Sequence, residues 1–108
     1  MPLKIVTAED FRALLQDAPW LVVNFVREGC PWCARMTEPL NHLDEIVGEK
    51  VQVVRLYKEA APEPFERFGV KAVPVTLLFK QGALREIVTG GGQDAMDWLE
   101  SLEELADA

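Results

Sequence analysis

A run of seven mostly apolar residues, WLVVNFV at 20–26, is followed three residues later by the segment CPWC at 30–33. The run is rich in β-branched residues, which is typical of a strand buried on both faces of a sheet. From Pro31 onward apolar residues recur at spacings of three and four, so they share one face of a helix. We therefore expect a buried strand, a short turn and a helix, with both cysteines of the chain where that helix begins.

The rest of the chain alternates between strand and helix patterns. Strands are predicted at 3–6, 20–26, 51–56, 75–80 and 84–89, the last two forming a hairpin around Gln81–Gly82. Helices are predicted after a capping pair of Thr7 and Asp10, from Pro31 with a kink at Pro39, at 62–69, and after the glycines at 90–92. The order β-α-β-α-β-α-β-β-α predicts an α/β fold in which helices cover both faces of one central mixed sheet.

Length and composition indicate one soluble domain. A chain of 108 residues with 49% hydrophobic residues is enough for a single core, so we expect one domain spanning 1–108. No apolar run approaches the roughly 20 residues that cross a bilayer, and the N-terminus lacks a secretory pattern, so we expect a cytoplasmic protein that does not bind membranes. A net charge of −7 argues against nucleic-acid binding, which depends on clustered Lys and Arg.

The spacing of the two cysteines has chemical consequences. We expect Cys30 at the N-cap, Pro31 at the first helical position, and Cys33 one turn in on the apolar face. Unpaired backbone N–H groups at a helix start favour an anion, so the Cys30 thiol should ionise readily and act as a nucleophile. Cys33 is then placed to attack a mixed disulfide on Cys30. A Cys-x-x-Cys segment between a strand and a helix thus indicates redox chemistry.

Other interpretations of the cysteine pair remain open at this point. A zinc site normally takes four ligands, whereas the chain offers two thiols and His42, nine residues past Cys33. An iron–sulfur cluster or metal shared by two chains is a further alternative. The pair would be chemically inert if it only filled the core.

Two segments resemble thioredoxin-like proteins and occur in the same order as in that family. They are VVNFVREGCPWCARM and RFGVKAVPVTLLFKQGALREIVTGG, and the resemblance covers roughly residues 18–102. It implies a three-layer α/β/α sandwich and a protein disulfide oxidoreductase in which Cys30 attacks the substrate and Cys33 resolves the mixed disulfide. It also implies a cis peptide bond before Pro74, opposite the cysteines, where the substrate backbone is held.

The same resemblance implies partners and contacts. The expected partners are disulfide-containing protein substrates and a thiol reductase or small-thiol donor, with no cofactor beyond the Cys30–Cys33 pair and with a monomeric protein. Substrate contacts are expected from Trp32, Val73, Pro74 and Gly90. For Trp32 the alternative is that its ring packs over the first loop. For the glycines the alternative is that they only form a turn between the last strand and the last helix. The competing function is a thioredoxin-like adaptor whose dithiol is a redox-sensitive latch for one partner, without turnover.

The chain departs from ordinary thioredoxins around the motif. Pro31-Trp32 replaces the usual Gly-Pro pair, and Gly29 stands where a tryptophan is common. The buried aspartate behind the second cysteine falls on Asn24, and asparagine hydrogen-bonds but cannot take a proton from Cys33.

Arg55 corresponds to the basic residue near that aspartate. If its side chain pointed inward, its charge would help to stabilise a thiolate. The residue type instead favours an exposed strand arginine, which is the interpretation we adopt from the sequence. With Asn24 and Pro31-Trp32, the sequence predicts a redox pair that is less reducing than an ordinary thioredoxin.

Overall fold

The computed structural model describes residues 3–107. The strands are β1 Lys4–Ile5, β2 Trp20–Val26, β3 Gln52–Tyr57, β4 Val75–Lys80 and β5 Ala83–Thr89. The helices are α1 Ala8–Asp17, α2 Pro31–Arg35, α3 Thr37–Val47, α4 Pro62–Arg67 and α5 Gln93–Ser101, and a 3₁₀ helix follows at Leu102–Asp107. Within residues 3–107, no helix has both the length and the apolar composition needed to cross a bilayer.

The five strands form one mixed sheet in the order β1-β3-β2-β4-β5. Strands β1, β3 and β2 run parallel, whereas β4 is antiparallel to β2 and β5 is antiparallel to β4. The predicted α/β architecture with a central mixed sheet is therefore confirmed. Strand β2 is the middle strand, so the residues that follow it begin at the centre of one sheet edge.

Helices cover both faces of the sheet, because successive side chains of β2 point to opposite sides. Val23 and Phe25 pack with Phe11 of α1 and Phe65 of α4 in one core. Val22 packs in the second core, which contains buried residues of α3 and α5. This arrangement explains why the sequence of β2 is almost continuously apolar. Each fully buried aliphatic or phenyl side chain contributes on the order of 2 kcal/mol to the free energy of folding.

The helix predicted from Pro31 to Val47 is divided at Met36. Pro39 has no backbone N–H to donate to the carbonyl of Arg35, four residues earlier, so the helical ladder is interrupted upstream of the proline. The ladder resumes where the N–H of Leu40 donates to the carbonyl of Met36 at 3.0 Å. The kink expected at Pro39 is thus displaced by three residues, and the cysteine motif lies on the short, separate helix α2.

Two predicted local signals are present in the structure. The hydroxyl of Thr7 accepts a hydrogen bond from the N–H of Asp10 at 3.0 Å, and the Asp10 carboxylate accepts one from the N–H of Thr7 at 3.3 Å. This capping box starts α1. Gln81 and Gly82 both have positive φ, as a type I′ hairpin turn requires, and they join β4 to β5.

Candidate active site

The two cysteines lie just beyond the C-terminal end of β2. Cys30 is the N-cap of α2, Pro31 is its first residue, and Cys33 lies one turn in. The two sulfurs form a disulfide, and their Cα atoms are 5.2 Å apart. Cys30 is partly exposed, whereas Cys33 is only 3% exposed. The positions expected from the sequence are confirmed, and the two sulfurs differ in their access to solvent.

A backbone amide is aimed at the outer sulfur. Sγ of Cys30 accepts a hydrogen bond from the N–H of Cys33 at 3.2 Å. Helix α2 has only five residues, so it lacks the dipole of a long helix. The hydrogen bond from the N–H of Cys33 is therefore the local feature that favours negative charge on Cys30. A backbone N–H at this position is the kind of donor that stabilises a thiolate.

Arg55 is buried beneath the motif, so the exposed strand arginine favoured by the sequence is wrong. Arg55 lies beside Asn24 in the register of β3 and β2, and both side chains project from the same face of the sheet. Its side chain is bounded by α2 and the start of α3, which leaves the residue 6% exposed. The guanidinium donates from Nε to Oδ1 of Asn24 at 2.9 Å, from Nη1 to Oγ1 of Thr37 at 2.8 Å, and from Nη2 to the carbonyl oxygen of Cys33 at 2.8 Å.

Asn24 connects this arginine to the neighbouring strand. It is completely buried, and its Nδ2 donates to Oγ1 of Thr76 on β4 at 3.1 Å and to Sδ of Met36 at 3.6 Å. Burial lowers the pKa of Arg55, and its interaction with Tyr57 acts in the opposite direction. An arginine nevertheless stays protonated at neutral pH, so a positive charge lies under the disulfide.

A pocket of about 510 Å³ opens beside the disulfide. Both cysteines line it together with Thr37, Arg55 and Tyr57. Cys33 therefore borders a space that water can enter, although the residue is almost entirely buried.

Three loops meet on the other side of the motif. The peptide bond between Val73 and Pro74 is cis, as the resemblance implied. The N–H of Gly90, whose φ is +82°, donates to the carbonyl of Pro74 at 2.8 Å. A Cβ placed on Gly91 would lie 3.0 Å from the carbonyl oxygen of Trp32 and 3.5 Å from Cγ of Pro74. A side chain there would require the carbonyl of Trp32 to move by a few tenths of an ångström, so glycine allows this close approach of the loop to the motif.

The residues proposed for substrate contact surround this junction. Trp32 is 51% exposed, and the guanidinium of Arg35 lies 4.6 Å from the centre of its ring. About half of this residue is therefore open to solvent, and its ring is covered in part by Arg35. Val73, Pro74 and Gly90 line a largely apolar groove of about 380 Å³. Gly91 was not singled out from the sequence, where only its place in the GGG segment was available as a signal.

His42 lies away from the cysteines on the exposed side of α3. Its Nε2 is 3.8 Å from Oε2 of Glu103. In the part of the chain that the structure describes, no three His, Cys, Asp or Glu side chains are grouped closely enough to hold a metal ion.

The thioredoxin family model matches residues 2–103. The chain belongs to the thioredoxin family. A thioredoxin of Chlamydia caviae is 30% identical to it over 87 residues, which cover 81% of this chain and 83% of that protein. This family membership, together with the Cys30–Cys33 disulfide, points to a thiol–disulfide oxidoreductase.

Solved thioredoxin structures share the fold. The Plasmodium falciparum thioredoxin superimposes with a TM-score of 0.82 at 20% identity, covering 92% of this chain and 98% of that one. The Malassezia sympodialis thioredoxin gives a TM-score of 0.83 at 17% identity, covering 100% of this chain and 96% of that one. The predicted thioredoxin-like three-layer sandwich is thus confirmed.

Proposed function

We propose that the protein exchanges disulfides with protein substrates, with Cys30 as the attacking sulfur and Cys33 as the resolving sulfur. The observation that carries this assignment is the difference between the two sulfurs. Cys30 is partly exposed and receives a backbone N–H at 3.2 Å, whereas Cys33 is 3% exposed and is bonded to it from behind. A substrate disulfide therefore meets Cys30 first.

The reaction runs through one mixed disulfide. The Cys30 thiolate attacks a substrate disulfide, a new S–S bond forms, and one substrate sulfur leaves as a thiolate. Cys33 then loses its proton and attacks Sγ of Cys30, which forms the Cys30–Cys33 bond and releases the second substrate thiolate. The substrate gains two electrons, and the two cysteines lose them. No cofactor is required because the sulfurs carry both electrons, and a thiol reductase or small thiol resets the pair.

The substrate polypeptide, in this proposal, lies across the junction of loops beside the disulfide. Trp32 offers an exposed apolar surface, and Pro74 with Val73 and Gly90 forms the opposite wall. Exposed aromatic rings bind polypeptides well because they contribute a large contact area with few rotatable bonds.

We infer a redox potential less reducing than that of an ordinary thioredoxin, which lies at about −270 mV. Support comes from the Pro31-Trp32 pair between the cysteines and from Asn24 in place of a buried acid. Equilibration with mixtures of reduced and oxidised glutathione measures the potential. A value as low as about −270 mV would refute the shift.

We also infer that the chain acts as a monomer in the cytoplasm. Both sulfurs, Asn24 and Arg55 come from one chain, so the proposed site is complete without a second copy. Analytical ultracentrifugation of the oxidised and reduced protein tests the oligomeric state. Activity that appears only at concentrations where a dimer forms would contradict the inference.

Trapping experiments test the roles of the cysteines. Cys33→Ser should retain substrates on Cys30 as stable mixed disulfides, and Cys30→Ser should retain none. Equal trapping by both variants would contradict the assignment. Turnover of a model protein disulfide separates an enzyme from an adaptor, since stoichiometric capture without turnover would support the adaptor.

A further inference from the structure

The charge of Arg55 is buried and has neutral hydrogen-bond partners. Its nitrogens donate to the amide oxygen of Asn24, the hydroxyl of Thr37 and the carbonyl of Cys33. Within residues 3–107, no carboxylate lies at ion-pair distance from it. A buried cation that has only dipolar partners favours the appearance of a negative charge nearby.

The side chain of Arg55 contacts the residue that carries the inner sulfur, and a cysteine sulfur becomes negative when it loses its proton. Nη2 of Arg55 is 2.8 Å from the carbonyl oxygen of Cys33. Covalent geometry keeps a cysteine sulfur within about 5 Å of its own carbonyl oxygen, so the guanidinium lies within about 8 Å of Sγ of Cys33. Arg55 and Cys33 also line the same pocket.

Other charged groups near the pocket are more strongly screened. Arg27 and Glu28 line it, and Oε1 of Glu59 accepts a hydrogen bond from the backbone N–H of Glu28 at 3.2 Å. All three residues are exposed, so water screens their charges. Tyr57 is half-buried, and its interaction with Arg55 raises the pKa of the arginine, opposing the effect of burial. Among the charged residues that line this pocket, Arg55 is therefore the buried one, whose charge water screens least.

We propose that Arg55 is a positioning residue that stabilises the Cys33 thiolate in the resolving step, replacing a buried proton acceptor with a buried positive charge. The inference rests on the proposed function and specifies how its second step occurs. Asn24 takes no proton, so the proton of Cys33 passes to water in the adjoining pocket. The thiolate left beside Arg55 attacks Sγ of Cys30, forms the Cys30–Cys33 bond and expels the substrate thiolate.

Three substitutions separate a charge effect from a purely structural one. Arg55→Met removes the charge and the hydrogen bonds, whereas Arg55→Lys keeps the charge. Asn24→Asp keeps the guanidinium in place and gives it a carboxylate at the position of Oδ1, 2.9 Å from Nε. A charge effect requires Arg55→Met and Asn24→Asp to move the pKa of Cys33 in the same direction, while Arg55→Lys leaves it near the parent value.

The measurement uses the full chain carrying Cys30→Ser. Cys33 is then its single cysteine, so ¹³C-labelled cysteine gives one Cβ resonance whose shift follows one ionisation. We expect Arg55→Met and Asn24→Asp each to raise the pKa of Cys33 by about one unit or more. In the two-cysteine protein, release of a thiol from a preformed mixed disulfide should slow about threefold at pH 7 in both variants, because a tenfold smaller thiolate fraction is partly offset by a more nucleophilic thiolate.

An unchanged pKa in Arg55→Met would overturn the proposal. If Arg55→Met fails to fold, Arg55→Gln decides, because glutamine removes the charge but keeps amide N–H donors: a raised pKa supports the role of Arg55 and an unchanged pKa overturns it. Failure of the proposed function has a different signature, namely no turnover of protein disulfides together with a pKa of Cys33 that still responds to both substitutions. Normal turnover with an unresponsive pKa would overturn the role of Arg55 alone.

Discussion

Replacing Asn24 with leucine should destabilise the protein, because Nε of the charged Arg55 side chain loses its hydrogen-bond acceptor. Asn24 is completely buried, and leucine has a similar branched shape. The substitution removes the oxygen that accepts from Nε of Arg55 at 2.9 Å and the nitrogen that donates to Oγ1 of Thr76 at 3.1 Å. The first bond involves a charged donor and the second is neutral.

The two bonds differ in their contribution to the free energy of unfolding. A hydrogen bond to a charged group contributes about 1.5–3 kcal/mol, whereas a neutral bond contributes about 1 kcal/mol. Leucine regains about 1 kcal/mol by burying apolar surface in place of an amide. We therefore expect Asn24→Leu to lower the free energy of unfolding by about 1.5–3 kcal/mol.

Two matched variants isolate the charged bond. Thr76→Val removes only the neutral bond and should cost about 1 kcal/mol. Asn24→Asp keeps an acceptor for Arg55 and should stay within about 1 kcal/mol of the parent protein at pH 7. Urea denaturation of the oxidised proteins gives the three values, provided that the slope of the transition does not change. The reasoning is refuted if Asn24→Leu proves no more destabilising than Thr76→Val.

Three further predictions concern the start of α1 and the loop junction. Thr7→Ala removes half of the capping box with Asp10 and should lower the free energy of unfolding by about 1 kcal/mol in urea, with unchanged disulfide exchange; an unchanged urea midpoint would contradict it. Gly91→Ala places a Cβ against the carbonyl of Trp32, so the KM for a protein disulfide should rise severalfold while the exchange rate with glutathione disulfide stays constant. Equal loss with both substrates would instead indicate damage to the cysteines themselves. Trp32→Ala should change the free energy of unfolding by less than about 0.5 kcal/mol, because the ring is 51% exposed, and should raise the same KM; an unaltered KM would remove Trp32 from the substrate surface.

The buried strand and the position of the cysteines could be predicted because local patterns determine them. The apolar run at 20–26 has the composition of a strand covered on both faces, and the structure places β2 at these same residues. Pro31 and the apolar spacing that follows it define the start of a helix. The division at Met36 was harder to predict, since the missing N–H of Pro39 acts on a carbonyl four residues earlier.

Arg55 was predicted wrongly because its burial depends on a partner from another strand. Residue type alone favours exposure for an arginine. The signal that was available was Asn24, a single polar residue in a buried strand, which needs hydrogen-bond partners. Which residue would supply them depends on the pairing of β2 with β3, and this pairing is not visible in either segment by itself.

The contacts at the loop junction could not be predicted from local sequence patterns. Trp32, Pro74 and Gly91 are far apart in the sequence, and no periodicity connects them. The cis bond before Pro74 was expected from the resemblance to the family, and the close approach of Gly91 to Trp32 was not expected at all. Long-range contacts of this kind follow from the topology of the whole sheet.

The parallel alignment of β2 and β3 has a consequence for how this site tolerates change. Side chains alternate between the two faces of a strand, so sliding β3 by a single residue would turn Arg55 away and bring Val54 or Leu56 beneath the cysteines. If Arg55 stabilises the Cys33 thiolate as proposed, an insertion or deletion within β3 would alter the acidity of that thiol without touching the segment that contains it. The register between β2 and β3 thus determines which side chain, charged or apolar, lies beneath the cysteines, in addition to forming the core.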